Sequence, residues 1–323
     1  MKVYILDTIK KGAWGGGNQF LRALRNIYMQ KGVYTEDIEN ADLIIYNSYQ
    51  SLTEVVRYRK KYPNKFFVHR LGPVFSYHRG QKWKLIDKLL VFFANHIADA
   101  VVFQSEWTKK EYIKLGFNLD IPYSVIYNAV DNKIFFSGNN KIFNKKKIRL
   151  IGTSWSKNRQ KGFEYYKYLD KNLDWDRYEM TFVGNSPFLF SSINHISPVS
   201  SKELAYILKS HDIFIAPMSK DACSNSILEA LSCGLPVVAL DSGANRELVK
   251  ESEMLFSDKE DFLRVITHVV NNYNRIQRNI VVPNILGVST AYLDVIKKKK
   301  QVSFILLMLM SGILVILSFK SKK

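Results

Sequence analysis

Short apolar runs alternate with amphipathic stretches along the first 130 residues or so. The runs at 3–6, 43–46, 66–69, 100–103 and 124–127 are rich in Val, Ile, Phe and Tyr. This is the pattern of strands buried on both faces of a parallel sheet. Between them, 18–31, 50–61, 81–97 and 105–115 repeat their apolar positions at helical spacing. A second series follows, with strands at 148–152, 180–183, 212–216 and 236–240. Its helices fall at 154–169 (behind a polar loop), 201–208, 258–275 and 287–296. Strands that alternate with helices in this way predict an α/β protein. The polar stretch 132–147, with Asn139, Asn140 and three consecutive lysines, separates the two series as a linker. The 323 residues are enough for two domains. The expected boundaries are 1–138 and 148–283 for two Rossmann-like domains, 284–300 for a further helix with a basic segment, and 301–319 for a hydrophobic helix.

The segment 212–247, DIFIAPMSKDACSNSILEALSCGLPVVALDSGANRE, concentrates the chemistry. An apolar run ends at Pro217, a polar loop follows, and Ser224 or Asn225 caps a helix that Gly234 and Pro236 stop. A second apolar run begins at Pro236. The loop thus reaches the carboxyl end of a parallel strand and the amino end of a helix. Open α/β sheets bind ligands at that place, and free N–H groups there favour phosphate. Asp221 in the loop and Glu229 on the helix frame the site. A carboxylate accepts from two hydroxyls at once, which suits a sugar; most acids, by contrast, are merely solvated.

Charge widens the picture. The chain carries 47 Lys and Arg against 29 Asp and Glu, a net +18. Seven of the lysines lie in 297–323, where there are no acids, leaving +11 on residues 1–296. No nucleic-acid-binding module is recognisable. Residues 302–319, VSFILLMLMSGILVILSF, form an uncharged run with lysines on both sides. Eighteen helical residues rise about 27 Å, close to the least that spans a hydrocarbon core. Attachment to a membrane through 302–319, with the folded domains on the cytosolic side, is the expected localisation. The two cysteines, Cys223 and Cys233, give no disulfide framework and fit a reducing compartment.

The run Asp221, Glu229-Ala230-Leu231-Ser232-Cys233-Gly234-Leu235-Pro236 resembles the donor-site signature of retaining glycosyltransferases of the GT-B fold, family 4 (glycosyl transferases group 1). The resemblance covers about 1–296 and implies two Rossmann-like domains facing a cleft. The first is the acceptor side and the second the nucleotide-sugar side, with 287–296 as the helix that crosses back. It implies that Glu229 holds the ribose of a nucleotide-diphosphate sugar and that Asp221, where the family has Glu, contacts the sugar. Lys161-Gly162 matches the family's diphosphate-binding Lys-Gly. Ser156 stands where an arginine is usual, so Arg159 or Lys157 substitutes. Gly15-Gly16-Gly17 matches a glycine loop after the first strand, Gly184-Asn185 the loop where the base rests, and His69 a histidine that contacts the transferred sugar. VIYNAVD (125–131) matches a turn leading out of the first domain, an architectural segment.

The implied activity is metal-independent hexosyl transfer to a glycan, lipid or protein hydroxyl. Expected catalytic residues are His69, Asp221 and Lys161. Expected donor-binding residues are Gly16, Gly17, Arg159, Lys161, Gly184, Asn225, Ser226 and Glu229. No cofactor is expected beyond the nucleotide sugar as co-substrate, nor any metal or nucleic-acid partner. A sugar-nucleotide epimerase and a catalytically silent sugar-nucleotide-binding membrane protein are the rival readings.

Overall fold

The computed structural model describes residues 1–7, 16–138, 143 and 146–297. The 302–319 run, Lys298–Lys300 and Gly15 lie outside them. Among the described residues, no helix is long and apolar enough to cross a membrane. The chain forms two compact units, each built on one parallel sheet. Unit 1 takes the described residues within Met1–Ile9, Leu24–Tyr127 and Leu286–Lys323; unit 2 takes those within Lys10–Ala23 and Asn128–Ile285.

Unit 1 holds strands β1 (Val3–Leu6), β2 (Leu43–Asn47), β3 (Phe66–Leu71), β4 (Ala100–Phe103) and β5 (Tyr123–Val125), paired in sequence order and all parallel. Its helices are α1 (Gly16–Gln30, whose first turns belong to unit 2), α2 (Leu52–Lys61), α3 (Phe75–Arg79), α4 (Lys84–His96) and α5 (Glu106–Lys114). A single parallel bridge, Val3 with Tyr34, extends the sheet past β1. The chain therefore leaves β1 through α1 to one side, then returns to pair β2 on the other. That reversal is the topological switch point of a doubly wound sheet. One core gathers Ile44, Tyr46, Phe67 and Val101 from the strands with Val55, Phe93 and Tyr112 from α2, α4 and α5.

Unit 2 holds β6 (Ile148–Ser154), β7 (Tyr178–Gly184), β8 (Asn194–Ile196), β9 (Ile213–Ala216), β10 (Val237–Leu240) and β11 (Leu255–Phe256). Their order across the sheet is β11-β10-β9-β6-β7-β8. Here the order reverses at β6, so the crevice falls between the carboxyl ends of β6 and β9. The helices are α6 (Phe163–Asn172), α7 (Ser201–Lys209), α8 (Asn225–Ser232), α9 (Asn245–Val249), α10 (Lys259–Asn271) and α11 (Tyr273–Arg278). A last helix, α12 (Ile285–Asp294), follows. Within unit 1 the Tyr28 hydroxyl donates to the Ser289 carbonyl at 3.0 Å.

The expected helix at 258–275 breaks at Asn272 into α10 and α11, and that at 81–97 opens with a 3-10 turn, Gln81–Trp83. The strands β8 and β11 and the helices α3 and α9 have two to five residues each, too short for a periodicity to register.

Candidate functional site

The crevice of unit 2 is built by two loops. The first leaves β6 and ends in a 3-10 turn, Arg159–Lys161, which Gly162 joins to α6. Gly162 has φ 75°, and a Cβ there would lie 2.2 Å from the Pro217 carbonyl oxygen. Only glycine lets the Lys161 turn lie against the end of β9. Ser219 closes the same contact, its N–H donating to the Gln160 carbonyl at 2.9 Å and its hydroxyl to the Gln160 side chain.

The second loop, 217–224, is pinned from behind. Asn245, fully buried, donates its amide to the carbonyls of Met218 and Leu240, each at 2.9 Å. The result places Lys161 Nζ 3.0 Å from Asp221 Oδ2, while Asp221 Oδ1 accepts from the Cys223 N–H at 3.2 Å. Both side chains are partly exposed, at 32% and 20%, so the pair contributes at most about 1 kcal/mol to stability. It orients the ammonium more than it stabilises the fold.

Ser224 is the N-cap of α8, its hydroxyl accepting from the Ile227 N–H at 3.4 Å. This settles the choice between Ser224 and Asn225. The first-turn N–H groups of Asn225 and Ser226 have no intrahelical carbonyl to meet and carry the positive end of the helix dipole. The Asn225 side chain is committed elsewhere. Its amide donates to the Gly16 carbonyl at 2.7 Å, and its Oδ1 accepts from Asn128 Nδ2 at 2.8 Å. A Cβ on Gly16 would lie 2.9 Å from the Asn225 Cβ, so the start of α1 packs on the start of α8 only through a glycine. Gly17 is exposed beside it.

The sequence marks Asn128 only as part of an architectural turn, yet it reaches Asn225 and the Cys223 carbonyl from a buried position. Nothing in a lone Asn after an apolar run distinguishes that role. Asn245, hidden in the polar string SGANRE, is a second such residue.

Glu229 sits one turn into α8 and is 6% exposed. Burial pushes its pKa up to about 8. Its carboxylate makes no hydrogen bond to any described residue. A buried acid without a partner is costly in the free protein, and a ligand with hydroxyl donors would satisfy it. Arg159 is exposed, with no ion pair or hydrogen bond to its guanidinium among the described residues. Gly184 ends β7 beside Ser154, and its carbonyl accepts from His195 Nε2 at 2.8 Å. Cys233 is buried, which pushes its thiol up to about 12 and keeps it protonated.

The structure thus brings Gly16, Lys161, Asp221, Asn225, Ser226 and Glu229 into one unit, on elements that meet around the β6–β9 crevice. His69 belongs to unit 1. Its ring is fully buried, stacked on Tyr46 at 4.3 Å, with Nε2 donating to the Ser48 carbonyl at 3.0 Å. Burial lowers its pKa to about 3, so it is neutral. In this conformation the imidazole is enclosed, and its hydrogen bond to the Ser48 carbonyl braces the turn after β2. Among the described residues, no three His, Cys, Asp or Glu side chains gather as a metal-binding group.

Residues 132–272 match the model of the family described as Glycosyl transferases group 1. This bears out the recognition read from the motif at 221–236. No curated protein matches the chain. Among solved structures, it is similar to HepE of Anabaena in complex with UDP-glucose, with 14% identity and a TM-score of 0.67. The match covers 91% of this chain and 98% of that one. It is also similar to sucrose-phosphate synthase of Thermosynechococcus elongatus, at 14% identity, TM-score 0.58, and 94% and 79% coverage. A third is the trehalose-6-phosphate protein of E. coli bound with UDP-2-fluoro glucose, at 11%, 0.58, and 85% and 76%. At these identities the likeness is one of fold: α/β with two parallel sheets, as in GT-B glycosyltransferases.

Proposed function

We propose that this chain is a retaining family 4 glycosyltransferase that moves a hexosyl group from a nucleotide-diphosphate sugar to a hydroxyl of a glycan, lipid or protein, without a metal ion. The observation that carries the reading is Glu229, a buried carboxylate with no protein partner among the described residues, beside the amino end of α8. Ribose hydroxyls supply the donors it lacks. The nucleotide sugars bound to HepE and to the E. coli protein support that ligand class.

In this reading, the bond between the anomeric carbon and the β-phosphate oxygen breaks, and the acceptor oxygen bonds to the same face of the sugar. A phosphate oxygen of the leaving diphosphate takes the acceptor proton. Lys161, Arg159 and the N–H groups opening α8 oppose the charge that develops on the diphosphate. Asp221 holds Lys161 in place until the donor arrives and then accepts from a sugar hydroxyl. Membrane attachment through 302–319 completes the proposal.

Replacing Lys161 with alanine is expected to lower kcat about a hundredfold, as removal of one fixed charge-stabilising donor does elsewhere. Steady-state rates of the two proteins check it. The assignment itself is tested on the full chain with a panel of UDP-, GDP-, ADP- and dTDP-sugars. Slow release of one nucleotide, abolished in Glu229→Ala, is the expected result and identifies the donor. Failure of a folded protein to bind any member would sink the reading.

A further inference from the structure

The turn between β3 and β4 carries a surface that the proposed transfer does not use. Residues 76–89 hold Arg79, Lys82, Lys84 and Lys88, all exposed. No ion pair joins any of the three lysines to an acid among the described residues. The one acid in the stretch, Asp87, is buried, its carboxylate accepting from the N–H groups of Phe75 at 2.7 Å and Ser76 at 2.9 Å. The stretch is therefore cationic with no exposed anion of its own.

It is also partly apolar. Leu85 is 55% exposed at the start of α4. Trp83 is half-buried, its ring packed against Tyr49 at 5.6 Å and Phe75 at 5.9 Å. The Arg79 guanidinium lies 4.4 Å from the centre of the Trp83 ring, and its N–H donates to the Tyr49 hydroxyl at 3.1 Å. The aromatic cluster fixes Trp83 and Arg79 in place; the exposed Lys82 and Lys84 flank Trp83 in the chain, and Lys88 follows Lys84 one turn on along α4.

Other lysine-rich ground in unit 1 is different. Around the hollow of about 490 Å³ lined by Asp42, Lys61, Tyr62 and Lys65, Lys61 pairs with Glu39 at 2.8 Å, and Asp42 is exposed. There the charges cancel.

We infer that the Arg79–Lys88 surface rests on an anionic phospholipid bilayer. Lysines around a half-exposed tryptophan and an exposed leucine match the headgroup boundary, where ammonium groups meet lipid phosphates, and the indole and the leucine enter the interface. Each lysine near an anionic leaflet adds roughly fivefold to membrane affinity. The inference stands on residues 76–89 alone and does not depend on 302–319.

The test uses the full chain in phosphatidylcholine bilayers with and without phosphatidylglycerol, containing brominated acyl chains as quencher. The Trp83 signal is the difference between wild type and Trp83→Phe. Quenching of that component is expected only when phosphatidylglycerol is present. It should be lost in the folded triple variant Lys82→Ala/Lys84→Ala/Lys88→Ala, and on raising the salt. Equal quenching in both bilayers, or in the triple variant, overturns the proposal. So does an unquenched Trp83 whose emission responds instead to soluble heparin, which would mark a site for a soluble polyanion. Absence of Trp83 quenching with phosphatidylglycerol present also overturns it, whether or not 302–319 anchors the chain.

Discussion

Replacing Glu229 with glutamine is expected to stabilise the ligand-free protein at alkaline pH and, on the proposed function, to remove donor binding at the same time. Burial raises the Glu229 carboxyl from its ordinary 4.5 to about 8. Below pH 4.5 the acid is protonated in both the folded and the unfolded chain, and it costs nothing. Between 4.5 and 8 the unfolded chain releases the proton while the folded protein keeps it, so stability falls as the pH rises. Above 8 the penalty is constant. Glutamine cannot ionise in either state and is spared the loss. The gap between variant and wild type therefore opens through this window, by roughly 1.4 kcal/mol for each pH unit, and reaches about 5 kcal/mol. Urea unfolding near pH 5 and above pH 8 reads it, and an equal gap at both would show that Glu229 ionises freely when folded. Binding has the opposite sign. Ribose hydroxyls donate to the ionised acid, so donor affinity should rise about tenfold per pH unit up to 8 and then level off. Calorimetry in buffers of different ionisation enthalpy would detect the proton released. In the proposed reading, the acid that unsettles the free protein is the one that holds the donor, a trade of stability for function.

Asp99→Ala is expected to destabilise unit 1 by about 3–5 kcal/mol, the usual result of removing one partner from a buried ion pair. Asp99 is fully buried and meets Arg59 through two hydrogen bonds, at 2.8 and 2.7 Å. It also accepts from the Phe67 N–H at 2.8 Å, while Arg59 donates to the Lys65 carbonyl at 2.8 Å and lies over the Phe67 ring. The pair ties the end of α2 to the starts of β3 and β4. Alanine leaves the Arg59 charge buried without its counter-ion. The double change Arg59→Met/Asp99→Ala removes that stranded charge and should recover part of the loss. A double-mutant cycle by urea unfolding measures the coupling. A loss below about 1 kcal/mol for Asp99→Ala would mean that water reaches Arg59 once the carboxylate is gone.

Most of the secondary structure is legible in the chain. All the described strands except β8 and β11 stand out as short apolar runs, because a parallel strand buried on both faces tolerates few polar residues. The residues of the 221–236 motif are legible too. Spacing fixes Glu229 on α8 and Asp221 in the loop before it, and Pro217, Ser224 and Gly234 mark where those elements begin and end. These are local effects, decided by neighbours within a few residues.

The remaining features are non-local. Which strands adjoin, and hence that each sheet reverses at its first strand, depends on pairings such as Val3 with Tyr34 and Leu150 with Ile213. No local pattern encodes them. Asn128 and Asn245 gain their roles only from partners far away in the sequence. His69 stands where a strand's end can offer it to a ligand, but its environment is set by the Tyr46 ring and the Ser48 carbonyl, and these bury it as a neutral imidazole. The ionisation of Glu229 is equally hidden. Local pattern alone puts an acid on the first turns of that helix. Only packing determined that it is buried and that the described residues offer it no partner, because desolvation belongs to all the surrounding chain rather than to any one residue.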